Sequence, residues 1–113
     1  MAGHAREVCM QVPVQVTFRD MPVSDAVEAA CWDEAAKLEQ CFDRIASCRI
    51  VLAEAAEAGR GFEIRIVLNV PGRELAITRR PHDHQPDEDV YEAIHEAFEI
   101  ARRQLEEYVH HSV

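Results

Sequence analysis

The sequence is poor in positive charge. Among its 113 residues, 12 are basic and 21 are acidic, which gives a formal net charge of −9, and Lys37 is the sole lysine. A protein that coats nucleic acid or anionic lipid by charge alone carries a broad excess of basic residues. That class of protein is excluded here.

Long apolar stretches are also missing. No run approaches the roughly 20 residues of a membrane span, and residues 1–9 lack the apolar core of a secretory signal peptide. We therefore expect a soluble, cytoplasmic protein with no membrane partner. With 48% hydrophobic residues, a chain of this length can still bury roughly two-thirds of its unfolded surface in one domain.

The cysteines form no CxxC pair of the kind found in zinc or redox sites. They are Cys9, Cys31, Cys41 and Cys48. A chain with so much apolar content does not need cross-links, so we expect reduced thiols rather than a disulfide framework. The helical and strand spacings predict that Cys31 and Cys48 point into the core.

Two spacing patterns divide the chain into six elements. Alternating apolar and polar residues predict strands, and apolar residues repeated every three or four positions predict helices. The predicted strands cover residues 11–18, 47–56, 62–70 and 73–80, and the predicted helices cover 24 to about 43 and 87–109. Pro13 lacks a backbone N–H and predicts an edge position for the first strand. Ser24 is the expected N-cap of the first helix, and Pro71 with Gly72 predicts a tight turn.

Each predicted element has one apolar face, and this allows a simple packing solution. Both helices cover the same side of one four-stranded mixed sheet, giving an α+β fold, a two-layer β-α-β-β-β-α sandwich. The first two strands are joined by a helix and should be parallel, and the later strands should be antiparallel. The opposite face of the sheet is then uncovered. We expect one domain over residues 10–109, a flexible extension at 1–9 and a tail at 110–113.

Acidic residues are concentrated in the two predicted helices. The segment 24–45 has a net charge of −4 and the segment 87–109 has −6, whereas the rest of the chain sums to +1. By strand alternation, Arg49, Arg65 and Arg80 project from the uncovered sheet face or its rim. The pattern predicts a two-sided molecule with acidic helices and a neutral-to-basic sheet. A solvated face with scattered arginines is the alternative to a ligand-binding face.

Two segments carry a specific resemblance to a known family. Residues 36–45 are AKLEQCFDRI, and residues 89–108 are DVYEAIHEAFEIARRQLEEY. Together they resemble the signature regions of the HPF/RaiA ribosome-associated family, the ribosome hibernation factors and translation inhibitors also labelled sigma-54 modulation proteins. The likeness extends over about residues 10–109 and implies the same β-α-β-β-β-α fold. The chain resembles the short form, which lacks a C-terminal dimerisation domain.

The resemblance implies a protein that binds the small ribosomal subunit, with ribosomal RNA and ribosomal proteins as partners. It would occupy the channel of the messenger and transfer RNA under stress or in stationary phase and so block translation. Basic side chains hold ribosomal RNA in this family. The RNA-binding residues expected here are Lys37, Arg44, Arg102 and Arg103 by matching position in the two motifs, Arg79 and Arg80 on charge, and Arg49 and Arg65 on the sheet face.

The remaining chemistry-bearing residues form no catalytic pattern. Trp32 and Tyr91 lie beside the apolar stripes of their helices, where each could stack on a base or cover the edge of its own core. His82 and His84 form an HxH pair near aspartates, a pattern that often arises by chance, so no metal or other cofactor is expected. No nucleophile has a matching histidine and acid, and no glycine-rich phosphate loop is present. We therefore expect no enzyme.

The acidic helices keep a second hypothesis open. A divergent family member could act as a protein-interaction module, or as a homodimer through its sheet, with weak or no ribosome binding. The charge of −10 summed over the two helices supports this alternative, because each lost phosphate contact weakens RNA binding.

Overall fold

Six elements build the fold in the predicted order. The computed structural model describes residues 13–54, 61–81 and 89–112. For residues 111 and 112 it describes the backbone alone. Strand β1 is Val14–Arg19, helix α1 is Asp25–Cys41, strands β2, β3 and β4 are Ser47–Glu54, Phe62–Val70 and Arg73–Arg79, and helix α2 is Val90–Ser112. The two-layer α+β sandwich with a four-stranded mixed sheet is confirmed. The extension predicted at residues 1–9 lies outside the described residues.

The four strands form one sheet in the order β1-β2-β3-β4. β1 and β2 are parallel, with Val14 opposite Cys48, and the β2–β3 and β3–β4 pairs are antiparallel. Parallel strands need a crossover connection, and α1 supplies it. β1 lies at an edge, as Pro13 predicts, and the Pro13 carbonyl accepts a hydrogen bond from the Cys48 amide at 3.0 Å.

The core lies between the sheet and the two helices. Alternate strand residues point into it, and Ile50, Leu52 and Ile66 are among those with no exposed surface. Each helix adds one buried stripe, which in α1 is Val27, Cys31, Ala35 and Leu38 and in α2 is Ala93, Ile94, Ala97, Phe98, Ala101, Leu105 and Tyr108. Because both stripes belong to one continuous core, both helices cover the same face of the sheet.

Helix α1 begins where the sequence predicts and ends slightly earlier. The Ser24 hydroxyl accepts a hydrogen bond from the Val27 amide at 3.3 Å and caps the helix. The last helical residue is Cys41 rather than Asp43, because the Phe42 backbone is extended, with φ −136° and ψ 96°. Phe42 still packs against the core from this position, so an apolar side chain that continues the helical spacing belongs to the following loop.

Helix α2 is longer at its C-terminal end than the sequence predicts. It starts at Val90, after Asp89, whose carboxylate accepts from the Tyr91 amide at 3.0 Å, and it runs to Ser112 rather than ending near residue 109. The residues that follow 109 include neither glycine nor proline, so no local signal ends the helix there. Within the described part of the chain, neither helix has the length and apolar content needed to cross a membrane.

The β3–β4 turn is attached to the C-terminal part of α2. Gly72 has φ +85°, the left-handed region that the predicted Pro-Gly turn requires. The Tyr108 hydroxyl donates to the Pro71 carbonyl at 2.8 Å. The Arg73 guanidinium lies 6.0 Å from the centre of the Tyr108 ring, within the range of a cation–π contact.

The described cysteines occupy two different environments. Cys31 and Cys48 are buried, as the spacing predicts, and Cys41 is exposed. Burial raises the pKa of the Cys31 thiol to about 12, with a smaller contribution from Cys48, and burial also raises the pKa of the Cys48 thiol to about 12. Both buried thiols are therefore neutral at physiological pH.

We predict that these two thiols destabilise the protein at alkaline pH. Each folded pKa lies above the reference value of 9.0, so the unfolded chain releases these protons first as the pH rises from 9 towards 12. The free energy of unfolding should fall over that window, by up to about 1.4 kcal/mol per pH unit for each thiol. Urea denaturation at several pH values, from below pH 9 to above it, measures how the free energy of unfolding changes with pH.

Variants of single cysteines test whether the buried thiols cause this loss of stability at alkaline pH. Cys31→Ala and Cys48→Ala each remove one buried titrating group and should flatten the alkaline dependence, whatever their cost in packing. Cys41→Ala removes an exposed thiol and should leave the slope as it is. An identical slope in all three variants would show that other groups cause the alkaline loss.

A second prediction concerns the left-handed turn residue. A Cβ added at Gly72 would meet no atom within 4 Å, so its cost is backbone strain alone. We expect Gly72→Ala to lower the free energy of unfolding by about 1–2 kcal/mol. Gly72→Asn should cost less, because asparagine tolerates positive φ. Thermal or urea denaturation that ranks asparagine below alanine would contradict a backbone origin.

Candidate nucleic-acid interface

One face of the described sheet is covered by neither helix, and we call it the open face. Its side chains are the strand residues that alternate with the core positions. They are Gln15, Thr17 and Arg19 of β1, Ser47, Arg49, Val51 and Ala53 of β2, Glu63, Arg65, Val67 and Asn69 of β3, Glu74, Ala76 and Thr78 of β4, and Arg80 directly after β4. Four arginines and two glutamates give this face a positive charge, in contrast to the whole chain.

Two open-face arginines are in loose ion pairs between strands. Arg49 Nη2 lies 3.5 Å from Glu74 Oε2, and both side chains are 55% exposed. Arg80 Nε lies 3.9 Å from Glu63 Oε2, with 76% of the Arg80 side chain exposed. Exposed pairs of this kind contribute about 0–1 kcal/mol. A phosphate can therefore replace either glutamate at little energetic cost.

Arg65 lies near the middle of the open face. It is exposed, stands opposite Val51 in β2, and forms no ion pair with another residue that the structure describes. Arg49 stands opposite Val67, so Arg49 and Arg65 are diagonal neighbours, and residues in this relation are typically about 7–8 Å apart. Two guanidinium groups at this separation, beside two half-buried valines, form a surface that can contact neighbouring phosphates.

Arg19 also belongs to the open face, although the sequence-based set of RNA contacts omits it. Its side chain points to the same face of β1 as those of Gln15 and Thr17. It stands opposite Ala53 of β2 and is exposed. The alternation of β1 is the signal that identifies it. Arg19 and Arg80 belong to the same end of the sheet, because β1 and β4 both finish there.

Arg79 is buried, contrary to the expectation based on its charge. Its side chain points to the same face of β4 as those of Leu75 and Ile77, and only 4% of the residue is exposed. Its Nε donates to Glu96 Oε1 of α2 at 2.7 Å, and its Nη1 donates to the Phe62 carbonyl at 2.9 Å. A buried guanidinium needs these acceptors because desolvation without them is costly. This placement excludes Arg79 from surface contact with RNA, and strand alternation is the signal that would have excluded it.

The basic residues of the two helices lie on the opposite layer from the open face. Lys37, Arg102 and Arg103 are all exposed. Lys37 Nζ lies 3.9 Å from Glu34 Oε2, and Arg102 Nη2 lies 3.1 Å from Glu99 Oε1. The fold therefore divides the predicted basic set between two sides of the molecule.

Glu34 and Glu99 also contact His95 of α2, and the contact with Glu34 joins the two helices. His95 Nδ1 lies 3.4 Å from Glu34 Oε2 of α1, and His95 Nε2 lies 3.7 Å from Glu99 Oε2. Lys37 and Arg102 thus share their carboxylates with His95, whereas Arg103 forms no ion pair with another residue that the structure describes. A phosphate that approaches this layer meets negative charge beside each of these pairs, whereas the open face presents arginines in surplus.

The two candidate stacking residues are on the helical layer. Trp32 of α1 is 36% exposed and Tyr91 of α2 is 47% exposed. Neither belongs to the open face, so stacking on a base stays a prediction for each. Among the described residues, no group of three or more potential ligands could hold a metal ion. The HxH pair of His82 and His84 lies outside the described residues.

The family of the chain follows from a match over most of its length. A family model described as "Sigma 54 modulation protein / S30EA ribosomal protein" matches residues 14–111. The chain belongs to this family. No curated protein matches the sequence significantly. The family named from the two sequence motifs is therefore confirmed.

Solved structures share the fold of this sigma 54 modulation protein family member. A ribosomal subunit interface protein from Coxiella burnetii is 15% identical, with a TM-score of 0.72 over 86% of this chain and 97% of that chain. The N-terminal domain of Thermus thermophilus Protein Y is 19% identical, with a TM-score of 0.67 over 86% of this chain and 98% of that chain. At these identities, the likeness establishes the fold.

In this family member the adjacent residues Arg79 and Arg80 should contribute differently to stability, because Arg79 is buried and Arg80 is exposed. We expect Arg79→Met to lower the free energy of unfolding by about 1–3 kcal/mol, because the Phe62 carbonyl and Glu96 lose a donor. Arg80→Met is the matched control and should change stability by less than about 0.5 kcal/mol, because its ion pair is long and exposed. Urea denaturation of both variants measures the difference, and equal losses would contradict the assignment.

Proposed function

We propose that the protein is a ribosome-associated translation inhibitor of the hibernation type. It binds the small ribosomal subunit in the cytoplasm, contacts ribosomal RNA and occupies the channel of the messenger and transfer RNA, without catalysis. The open face carries this proposal, since it exposes Arg19, Arg49, Arg65 and Arg80 in a chain of net charge −9. Family membership and a structural relative titled a ribosomal subunit interface protein support the ribosome as the partner.

Arginine is the side chain best suited to this role. A guanidinium group presents a planar fork of N–H donors that can bind a phosphate through two parallel hydrogen bonds. Arg49 and Arg80 need only exchange a loosely held glutamate for a phosphate, and Arg65 has no such partner among the described residues. The open face can therefore bind a phosphate backbone without rearrangement of the core.

The acidic helices favour one orientation of binding. α1 contains five acidic residues and one lysine, and α2 contains five acidic residues and two arginines. A phosphate-rich surface repels this layer and attracts the open face, so the field of the protein directs the sheet towards RNA. The repelled layer is then available to basic ribosomal proteins or to solvent.

The basic residues of the helices take a secondary part in this proposal. A channel can contact a bound protein on more than one side, so Lys37, Arg102 and Arg103 can reach RNA while the open face is engaged. They lie among the ten acidic residues of the two helices, whereas the open face has four arginines and two glutamates. We therefore assign the larger share of the affinity to the open face.

Replacing Arg49, Arg65 and Arg80 together by glutamine tests this assignment. The triple variant should bind purified small subunits at least tenfold more weakly. The slope of the logarithm of the binding constant against that of the salt concentration should fall by about 2–3, because each lost phosphate contact removes about 0.7–0.9. Co-sedimentation over a salt series measures both quantities, and unchanged retention would overturn the proposal.

A matched triple variant separates the open face from net charge. Replacing Lys37, Arg102 and Arg103 by glutamine removes the same charge from the helical layer and should weaken binding less. Equal losses would show that total charge, rather than the open face, determines the affinity. If the protein does not pellet with subunits but forms a dimer in sedimentation velocity, the homodimer hypothesis replaces this one.

A further inference from the structure

A cavity of about 450 Å³ lies where both helices end. Three separate segments form it, namely the end of α1 with the loop to β2, the end of β3, and the last part of α2. Its apolar lining is Phe42, Ile45, Val70, Leu105, Tyr108 and Val109, and its other lining residues are Cys41, Asp43 and Arg44. The cavity is distinct from the open face, which none of these residues belongs to.

The walls of the cavity are held in place before any ligand binds. Ile45, Val70 and Leu105 are buried and belong to the main core. Tyr108 is fixed by its hydrogen bond to the Pro71 carbonyl and by the Arg73 guanidinium over its ring. Apolar cavities of 300–1,000 Å³ that are largely preformed are typical of sites for small ligands.

The loop after α1 supplies opposite charges to this apolar cavity. Asp43 and Arg44 are consecutive and exposed, and neither forms an ion pair with another residue within the described ranges. Arg44 offers N–H donors suited to a phosphate, and the Asp43 carboxylate can accept a hydrogen bond from an amino group. An apolar body that carries both an anionic group and an N–H donor would match this arrangement.

The size of the cavity limits the occupant. A volume of about 450 Å³ lies in the lower part of the range for small-ligand sites, which suits one compact group rather than an extended partner. A single planar nucleobase fits, and its face can stack on an aromatic ring such as Phe42, which is half-buried.

We propose that this cavity receives one unstacked nucleobase of the ribosomal RNA, with Phe42 against the base and Arg44 on an adjacent phosphate. Protein recognition of RNA often targets bases that are splayed out of a helix and stacked on aromatic or arginine side chains. The inference rests on the proposed function, because it assumes an RNA partner. It adds a contact to bases, whereas the open face contacts phosphates.

Titration with adenosine monophosphate tests the cavity without the ribosome. Backbone amide chemical shifts should change around residues 41–45 and 105–109. Ribose 5-phosphate and inorganic phosphate, which lack the base, should bind at least fivefold more weakly. No shift change around the cavity with adenosine monophosphate would overturn the inference, as would equal binding of the three compounds.

Variants of the lining residues assign the contacts. Phe42→Leu keeps an apolar side chain and removes the ring, so it should weaken binding of adenosine monophosphate about 5- to 100-fold. Arg44→Gln should also weaken it, whereas Glu92→Gln changes an exposed residue of α2 outside the cavity and should have no effect. Val109→Trp should block the cavity without disturbing the core, because Val109 is 43% exposed.

Ribosome binding of the same variants separates this inference from the proposed function. We expect Val109→Trp to reduce co-sedimentation with small subunits and to lower it further when combined with the open-face triple variant. Full retention of Val109→Trp, with loss only in the open-face variant, would overturn the cavity contact and leave the proposed function standing. If Val109→Trp loses ribosome binding and the wild type fails to bind adenosine monophosphate, the occupant is a protein side chain and the inference is wrong.

Discussion

The alternation of side chains along the four strands sets which residues face the helices and which face outward, and the layer arrangement follows from it. Successive strand residues point to opposite faces. Burying Ile50, Ile64 and Ile66 under the helices therefore forces Arg49 and Arg65 onto the other face. The apolar stripes of both helices are taken up on one side of the sheet, and no described helix is left to cover the second side.

The same constraint gives two adjacent arginines opposite roles. Arg79 points inward, where a guanidinium is tolerated because Glu96 and the Phe62 carbonyl accept its hydrogen bonds. Arg80 points outward and is held only by a long, exposed ion pair. Arg79 thus joins the beginning of β3 to α2 and stabilises the layer arrangement, while Arg80 is available to a ligand. The two residues carry the same charge, and only their alternation along the strand distinguishes the buried one from the exposed one.

Local charge, rather than net charge, makes an acidic protein compatible with the proposed RNA partner. The helical layer concentrates carboxylates that already bind Lys37, His95 and Arg102. The open face holds arginines in surplus, at pairings that cost little to break. The cavity at the ends of the helices adds an apolar site next to an exposed arginine, so the proposed phosphate contacts and the proposed base contact lie in different parts of one small domain.

Local periodicity and turn chemistry are enough to predict the order of the elements, the edge position of β1, the cap at Ser24 and the outward-facing Arg49, Arg65 and Arg80. The partners of the polar groups could not be predicted in this way. Arg79 binds Glu96 across 17 residues, and Tyr108 binds Pro71 across 37. The cavity likewise joins three distant segments. Contacts of this kind are selected by the packing of the two layers, which no periodicity within a single element encodes.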